Sequence, residues 1–126
     1  MSPSSQTWSS EWTEIGDSGN PNNGDVQVVA SQSNYVLQIS NNEEGAMRSA
    51  DLSAFASATL AFGYWRSGLD AASEYGKVEV SVDGINWVTL DQFAGPDNDD
   101  AAGPPNQVSY DISAYLSAST HIRFLT

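Results

Sequence analysis

No cysteine occurs in the 126 residues. A disulfide scaffold, a CxxC redox site, a thiolate zinc site and a cysteine nucleophile are excluded together. Basic residues are almost as scarce. Arg48, Arg66, Lys77 and Arg123 stand against sixteen acids, and the formal net charge is −12 with the single histidine neutral. Such a chain repels a phosphate backbone and an anionic membrane surface alike, so neither nucleic acid nor lipid suits it. Charged residues make up only 16%, and no window of about twelve residues carries a 3.6-residue apolar stripe. Coiled coils and charged helical bundles are excluded on that ground. No apolar run approaches the roughly 18 residues that a membrane helix needs. The first residues, Met1-Ser2-Pro3-Ser4-Ser5-Gln6, are polar and lack the apolar core of a signal peptide. Met1 reads as the start of a piece excised from something longer. The length suits one module, residues 1–126, and not two.

What is present points to strands. Apolar residues reach 40% and aromatics 10%, enough to build a core and to argue against disorder. In Lys77-Val78-Glu79-Val80-Ser81-Val82-Asp83 the valines alternate with polar residues, which gives one apolar face and one polar face. Tyr35, Leu37 and Ile39 form a second such row, and Leu60, Phe62 and Tyr64 a third. Ile122 and Phe124 repeat it around Arg123. Further strands are expected over 25–30, 86–92 and 107–112. Asp83-Gly84 reads as a tight hairpin turn, because both residues tolerate positive φ. Segments 16–24 and 95–105, rich in Gly, Pro, Asn and Asp, read as loops. About eight short strands in a chain of this size give an all-β fold class: an antiparallel β-sandwich of jelly-roll topology with almost no helix. One internal echo stands out. Asp51-Leu52-Ser53-Ala54-Phe55 and Asp111-Ile112-Ser113-Ala114-Tyr115 share a pattern in which a polar residue caps one turn and two apolar residues pin it.

Five motifs occur in one order: Trp12-Thr13-Glu14-Ile15-Gly16-Asp17, the run Ala46-Met47-Arg48-Ser49-Ala50-Asp51-Leu52-Ser53, Leu60-Ala61-Phe62-Gly63-Tyr64, the run from Val78 through Asp83-Gly84 to Trp87, and Tyr110-Asp111-Ile112-Ser113-Ala114-Tyr115. That order resembles the jelly-roll modules of large bacterial cell-surface and secreted proteins, related in architecture to carbohydrate-binding modules and MAM-type domains. The resemblance covers nearly the whole chain. It implies an extracellular, non-catalytic module that binds carbohydrate or serves adhesion, and equally allows a structural spacer. A lack of cysteine fits secreted bacterial proteins that dispense with oxidative folding. Similar modules run on into one more strand, whereas this chain stops at Thr126. The resemblance therefore implies a sandwich lacking its final strand, open at its C-terminal edge and completed by a strand-donating segment or by homo-association; the alternative is that the segment around Trp8–Ile15 takes the last strand's place and leaves a smaller complete sandwich.

Catalysis finds little support in the residues. His121 is the one histidine, no G-x-S-x-G elbow is present, and the adjacent Glu43-Glu44 in an Asn-Asn-Glu-Glu-Gly turn read as solvated charges. Calcium has a better case, since hard cations take several oxygen ligands from Asp-rich loops. The candidate ligands are Asp70, Glu74, Asp97, Asp99 and Asp100, and Asp17 and Asp25 bracket a third acidic loop. Sugar rings stack on tryptophan and tyrosine faces. Trp65 lies opposite the Leu60, Phe62, Tyr64 row and is either displayed or covered by a second layer. Tyr75 is placed to rim a pocket, Trp12 is either buried or displayed, and Trp87 reads as a core plug. Trp65, Tyr75 and Trp12 are the candidate ligand-binding residues.

Overall fold

The computed structural model describes residues 11–20, 22–31, 34–96, 98–99 and 102–126. Among the described residues nine strands follow one another: β1 (Thr13–Ile15), β2 (Val26–Ser31), β3 (Asn34–Ile39), β4 (Gly45–Ala50), β5 (Thr59–Tyr64), β6 (Tyr75–Ser81), β7 (Val88–Ala94), β8 (Asn106–Asp111) and β9 (Thr120–Leu125). A single 3-10 turn, Ser113–Tyr115, precedes β9. The strands form one five-stranded sheet of order β1-β4-β9-β6-β7 and two separate pairs, β2-β3 and β5-β8. Every pairing is antiparallel.

Alternation decides which side chains enter the core. Val78 and Val80 on β6 are fully buried, and β9 sets Ile122 directly opposite Val80. Lys77, Glu79, His121 and Arg123 take the other face, since a side-chain period of two sends neighbours to opposite sides. The β5-β8 pair covers the apolar face. Phe62 meets Phe124 edge-on at 5.0 Å, Tyr64 stacks on Phe93 at 4.2 Å, and the Tyr110 hydroxyl donates to Asp91 at 2.7 Å. A bulge between Val78 and Glu79 shifts the β6-β7 register, and Leu90 still reaches the core. The echoed motifs are two equivalent corners. Asp51 Oδ1 accepts the Ser53 amide at 3.0 Å and Asp111 Oδ1 accepts the Ser113 amide at 2.9 Å, while Leu52 and Ile112 are buried.

β9 is hydrogen-bonded to β4 on one side and to β6 on the other. Three expectations need correction. Asp83-Gly84 is not a two-residue hairpin turn. The chain between β6 and β7 is the wider loop 82–87, where Asp83 accepts the amides of Ile85 and Asn86, both at 2.8 Å. Strand β4 lies outside the strands expected from the sequence. β4 reads Gly-Ala-Met-Arg-Ser-Ala and holds no β-branched residue, so it carries little of the usual strand signature. Its first residue follows from its neighbour, since a Cβ at Gly45 would run into the carbonyl oxygen of Phe124. Trp87 does not plug the core. It lies on the opposite face of the five-stranded sheet, under the Arg123 guanidinium at 3.9 Å and edge-on to His121 at 6.3 Å.

The five-stranded sheet is continuous, but the strands opposite it are not. Among the described residues β2 pairs only with β3 and β5 only with β8.

Candidate functional site

Two regions bring sequence candidates together. At one end of the sheets, the chain after β5 meets the chain after β7. Trp65 is half-buried and its indole N–H donates to the Gly103 carbonyl at 3.3 Å. Asp99 grips Arg66 through both oxygens, at 3.0 and 3.2 Å, and accepts the Arg66 amide at 2.6 Å. The Arg66 hydrogen bond is the main reason the Asp99 carboxyl falls to about 2. Glu74 turns onto its own loop, where one oxygen accepts the amides of Asp70 and Ala71. Asp97 and Asp100 lie outside the described residues. Asp99 and Glu74 are therefore committed to Arg66 and to loop amides, and no three acidic or histidine side chains among the described residues are grouped to hold a metal. Tyr75 is 37% exposed at the start of β6.

The second region is the cleft beside β1 and β4. It has a volume of about 300 Å³ and is lined by Trp12, Glu14, Val26, Gln27, Val28 and Leu37, among others, with Ala46 at its floor. The register explains the lining. Glu14 pairs with Ala46, which is fully buried, so Glu14 faces the same way as the core. Val26 and Val28 share one face of β2, yet Val26 is buried and Val28 is 45% exposed, because cover over β2 runs out along the strand. Trp12 packs against Phe124 at 6.0 Å and under the Arg48 guanidinium at 5.7 Å. Arg48 pairs with Ile122 and so points to the inner side of its sheet, between the buried Ala46 and Ala50.

Three further carboxylates stand at this end. Asp17 accepts the amides of Asp25 and Val26 at 2.7 and 2.8 Å, and the Val26 bond chiefly holds its carboxyl below the usual range. Gly24, at φ +92, lets the chain pass so near that a Cβ would strike this carboxylate. Glu44 has its Oε2 buried without a hydrogen-bond partner. Burial first, and then the charges of Asp25 and Asp17, push its carboxyl up. Glu14, Glu44 and Arg48 escaped sequence reasoning. Glu44 reads as a turn charge, and the alternation Ala46, Arg48, Ala50 is visible only once β4 is known to be a strand.

His121 Nδ1 meets the Ser119 carbonyl at 2.8 Å and its ring faces Trp87. On the same face Glu79, 5% exposed, receives Arg123 at 2.8 Å and Thr89 at 3.0 Å. Burial pushes the Glu79 carboxyl up, but those hydrogen bonds and the charges of Arg123 and Lys77 bring it below its ordinary value. Comparison with protein-family models, curated proteins and solved structures gives no match.

Proposed function

We propose that the chain is a non-catalytic recognition module of an extracellular bacterial protein, a jelly-roll whose ligand is a carbohydrate. One observation carries this reading: a cleft of about 300 Å³ that combines a tryptophan, apolar walls and the polar ends of Glu14 and Gln27. Ligand sites are concave and mostly apolar, with a few placed polar groups. A sugar asks for an aromatic surface beside hydrogen-bonding groups. Trp12, rather than Trp65, is then the residue to test. Glycan arrays should give binding that Trp12→Ala abolishes and Trp65→Ala leaves unchanged. Val28→Arg, which fills the cleft from an exposed position, should abolish it as well with the fold intact by circular dichroism. A blank array with folded protein would remove the reading and leave the structural spacer. Calcium remains part of the proposal for the end that carries Asp70, Glu74 and Asp99. A melting temperature higher in calcium than in EDTA supports it, and equal values remove it.

The divided strand layer favours a second reading, in which the same module is completed by a strand donated from another segment or a second copy. Among the described residues β2, β3, β5 and β8 each pair on one side only, and such edges accept added strands. A peptide of alternating apolar and polar residues should then form a 1:1 complex and raise the melting temperature. Indifference to such peptides, in a monomer that unfolds cooperatively, rejects it.

A further inference from the structure

Asn23-Gly24 is the one Asn-Gly pair in the sequence, and Asp83-Gly84 the one Asp-Gly pair. Either dipeptide can close into a succinimide, in which the glycine nitrogen attacks the preceding side-chain carbonyl. Glycine favours the reaction because no Cβ shields that nitrogen, and asparagine is the thermally labile partner. The fold treats the two pairs in opposite ways. Asp83 accepts the backbone amides of Asn86 and Ile85 and the Asn86 side-chain amide. These bonds, the Asn86 amide first, hold its carboxyl well below the usual range. An ionised carboxylate is a poor electrophile. The nucleophile is tied as well, since the Gly84 amide donates to Ser81 Oγ at 2.8 Å. Asn23 and Gly24, by contrast, are exposed. The Asn23 amide donates to the Asn20 carbonyl at 3.2 Å, and those of Asp25 and Val26 go to Asp17. Between them, the Gly24 amide donates to no group among the described residues.

We propose that Asn23 is a site of spontaneous modification, converted to aspartate and isoaspartate through a succinimide formed with Gly24. The Gly24 nitrogen gives its proton to solvent base and bonds to the side-chain carbonyl carbon of Asn23. The carbon–nitrogen bond of the side-chain amide breaks, and ammonia leaves. Water then opens the ring. Addition at the side-chain carbonyl gives aspartate, and addition at the backbone carbonyl gives isoaspartate. One water is consumed and one ammonia released, with nothing oxidised or reduced. The Ser18 hydroxyl assists, since it donates to Asn23 Oδ1 at 3.3 Å and draws charge from the carbonyl under attack. The product sets a new carboxylate beside Gly24, which already lies against the Asp17 carboxylate, and isoaspartate also lengthens the backbone. The change is felt at β2. Gln27 Nε2 donates to the Gly24 carbonyl at 2.7 Å, and Gln27 and Val26 line the cleft. The modification acts on the wall of that cleft whatever the cleft binds.

The test is peptide mapping by mass spectrometry after the folded chain has stood in warm, mildly alkaline buffer, with a urea-unfolded sample alongside. In the folded chain deamidation should appear at Asn23 before any other asparagine, as aspartate and isoaspartate together, with ammonia released in step. Asp83 should isomerise in the unfolded sample and stay intact in the folded one. Asn23→Gln, whose longer side chain closes the ring poorly, should stop the conversion. Ser18→Ala should slow it in the folded chain and leave the unfolded rate unchanged. The converted chain should separate as a species one charge more acidic and melt below the parent. Asn23 left intact in the folded sample overturns the inference, as does earlier conversion at another asparagine. Equal folded rates for Ser18→Ala and the parent remove the assistance from Ser18. A converted chain that melts with the parent overturns the link to β2.

Discussion

Glu44 and Asp99 respond to their surroundings in opposite directions. Glu44 is held up by burial and by like charges, so its ionised form opposes folding. That opposition is relieved as pH falls through its folded pKa. Glu44→Gln removes the charge, so it should melt higher than the parent chain at neutral pH and lose part of the gain toward mildly acidic pH. A pH series of melting curves checks both, and an unchanged neutral melting temperature would contradict the buried, unpaired oxygen. Asp99 is the reverse case. Its folded carboxyl lies at about 2, against an ordinary 3.8, because Arg66 bonds to it. The stability this adds is complete above about pH 4 and disappears as pH falls toward 2. Asp99→Asn should be less stable above that window and flatter within it. Equal slopes in acid unfolding would show that the Arg66 pair contributes nothing.

At the scale of elements, β9 and the 82–87 loop make opposite demands on an isoleucine. Ile122 is 2% exposed at the centre of the five-stranded sheet, whereas Ile85 is 79% exposed. Ile122→Ala should cost about 2–5 kcal/mol in denaturant unfolding, from lost burial and the cavity left behind. Ile85→Ala should fall within about 0.5 kcal/mol of zero. Similar costs at the two positions would place β9 outside the core. The elements also differ in how far sequence betrays them. β6 alternates valine with polar residues and is legible at once, as is β5 with Leu60, Phe62 and Tyr64. β4 holds no β-branched residue, and its glycine stands where a Cβ at Gly45 would meet the Phe124 carbonyl of β9. A constraint set by a partner some eighty residues away leaves no local periodic trace.

For the molecule as a whole, the −12 charge is a cost that the fold carries in water of low salt. Raising the ionic strength until the Debye length falls from about 30 Å to about 8 Å should raise the melting temperature, because repulsion among carboxylates is screened. Simple 1:1 salts serve the test, since divalent ions would mix screening with binding. A melting temperature that falls with salt would mean that the Arg123–Glu79 and Arg66–Asp99 pairs outweigh the general repulsion.

Composition and alternation alone determined the all-β class, the lack of any cysteine chemistry, the acidic surface and the faces of β5, β6 and β9. These depend on residues two apart along the chain, and a side-chain period of two makes them readable. Only the tertiary structure decided that β9 is interior, that Trp87 rests under Arg123, that Asp99 is bound by Arg66, and that Trp12, Glu14 and Val28 share a cleft. Each of these depends on which strand lies beside which. Strand pairing joins residues far apart in sequence, and the local pattern of either partner does not encode the other.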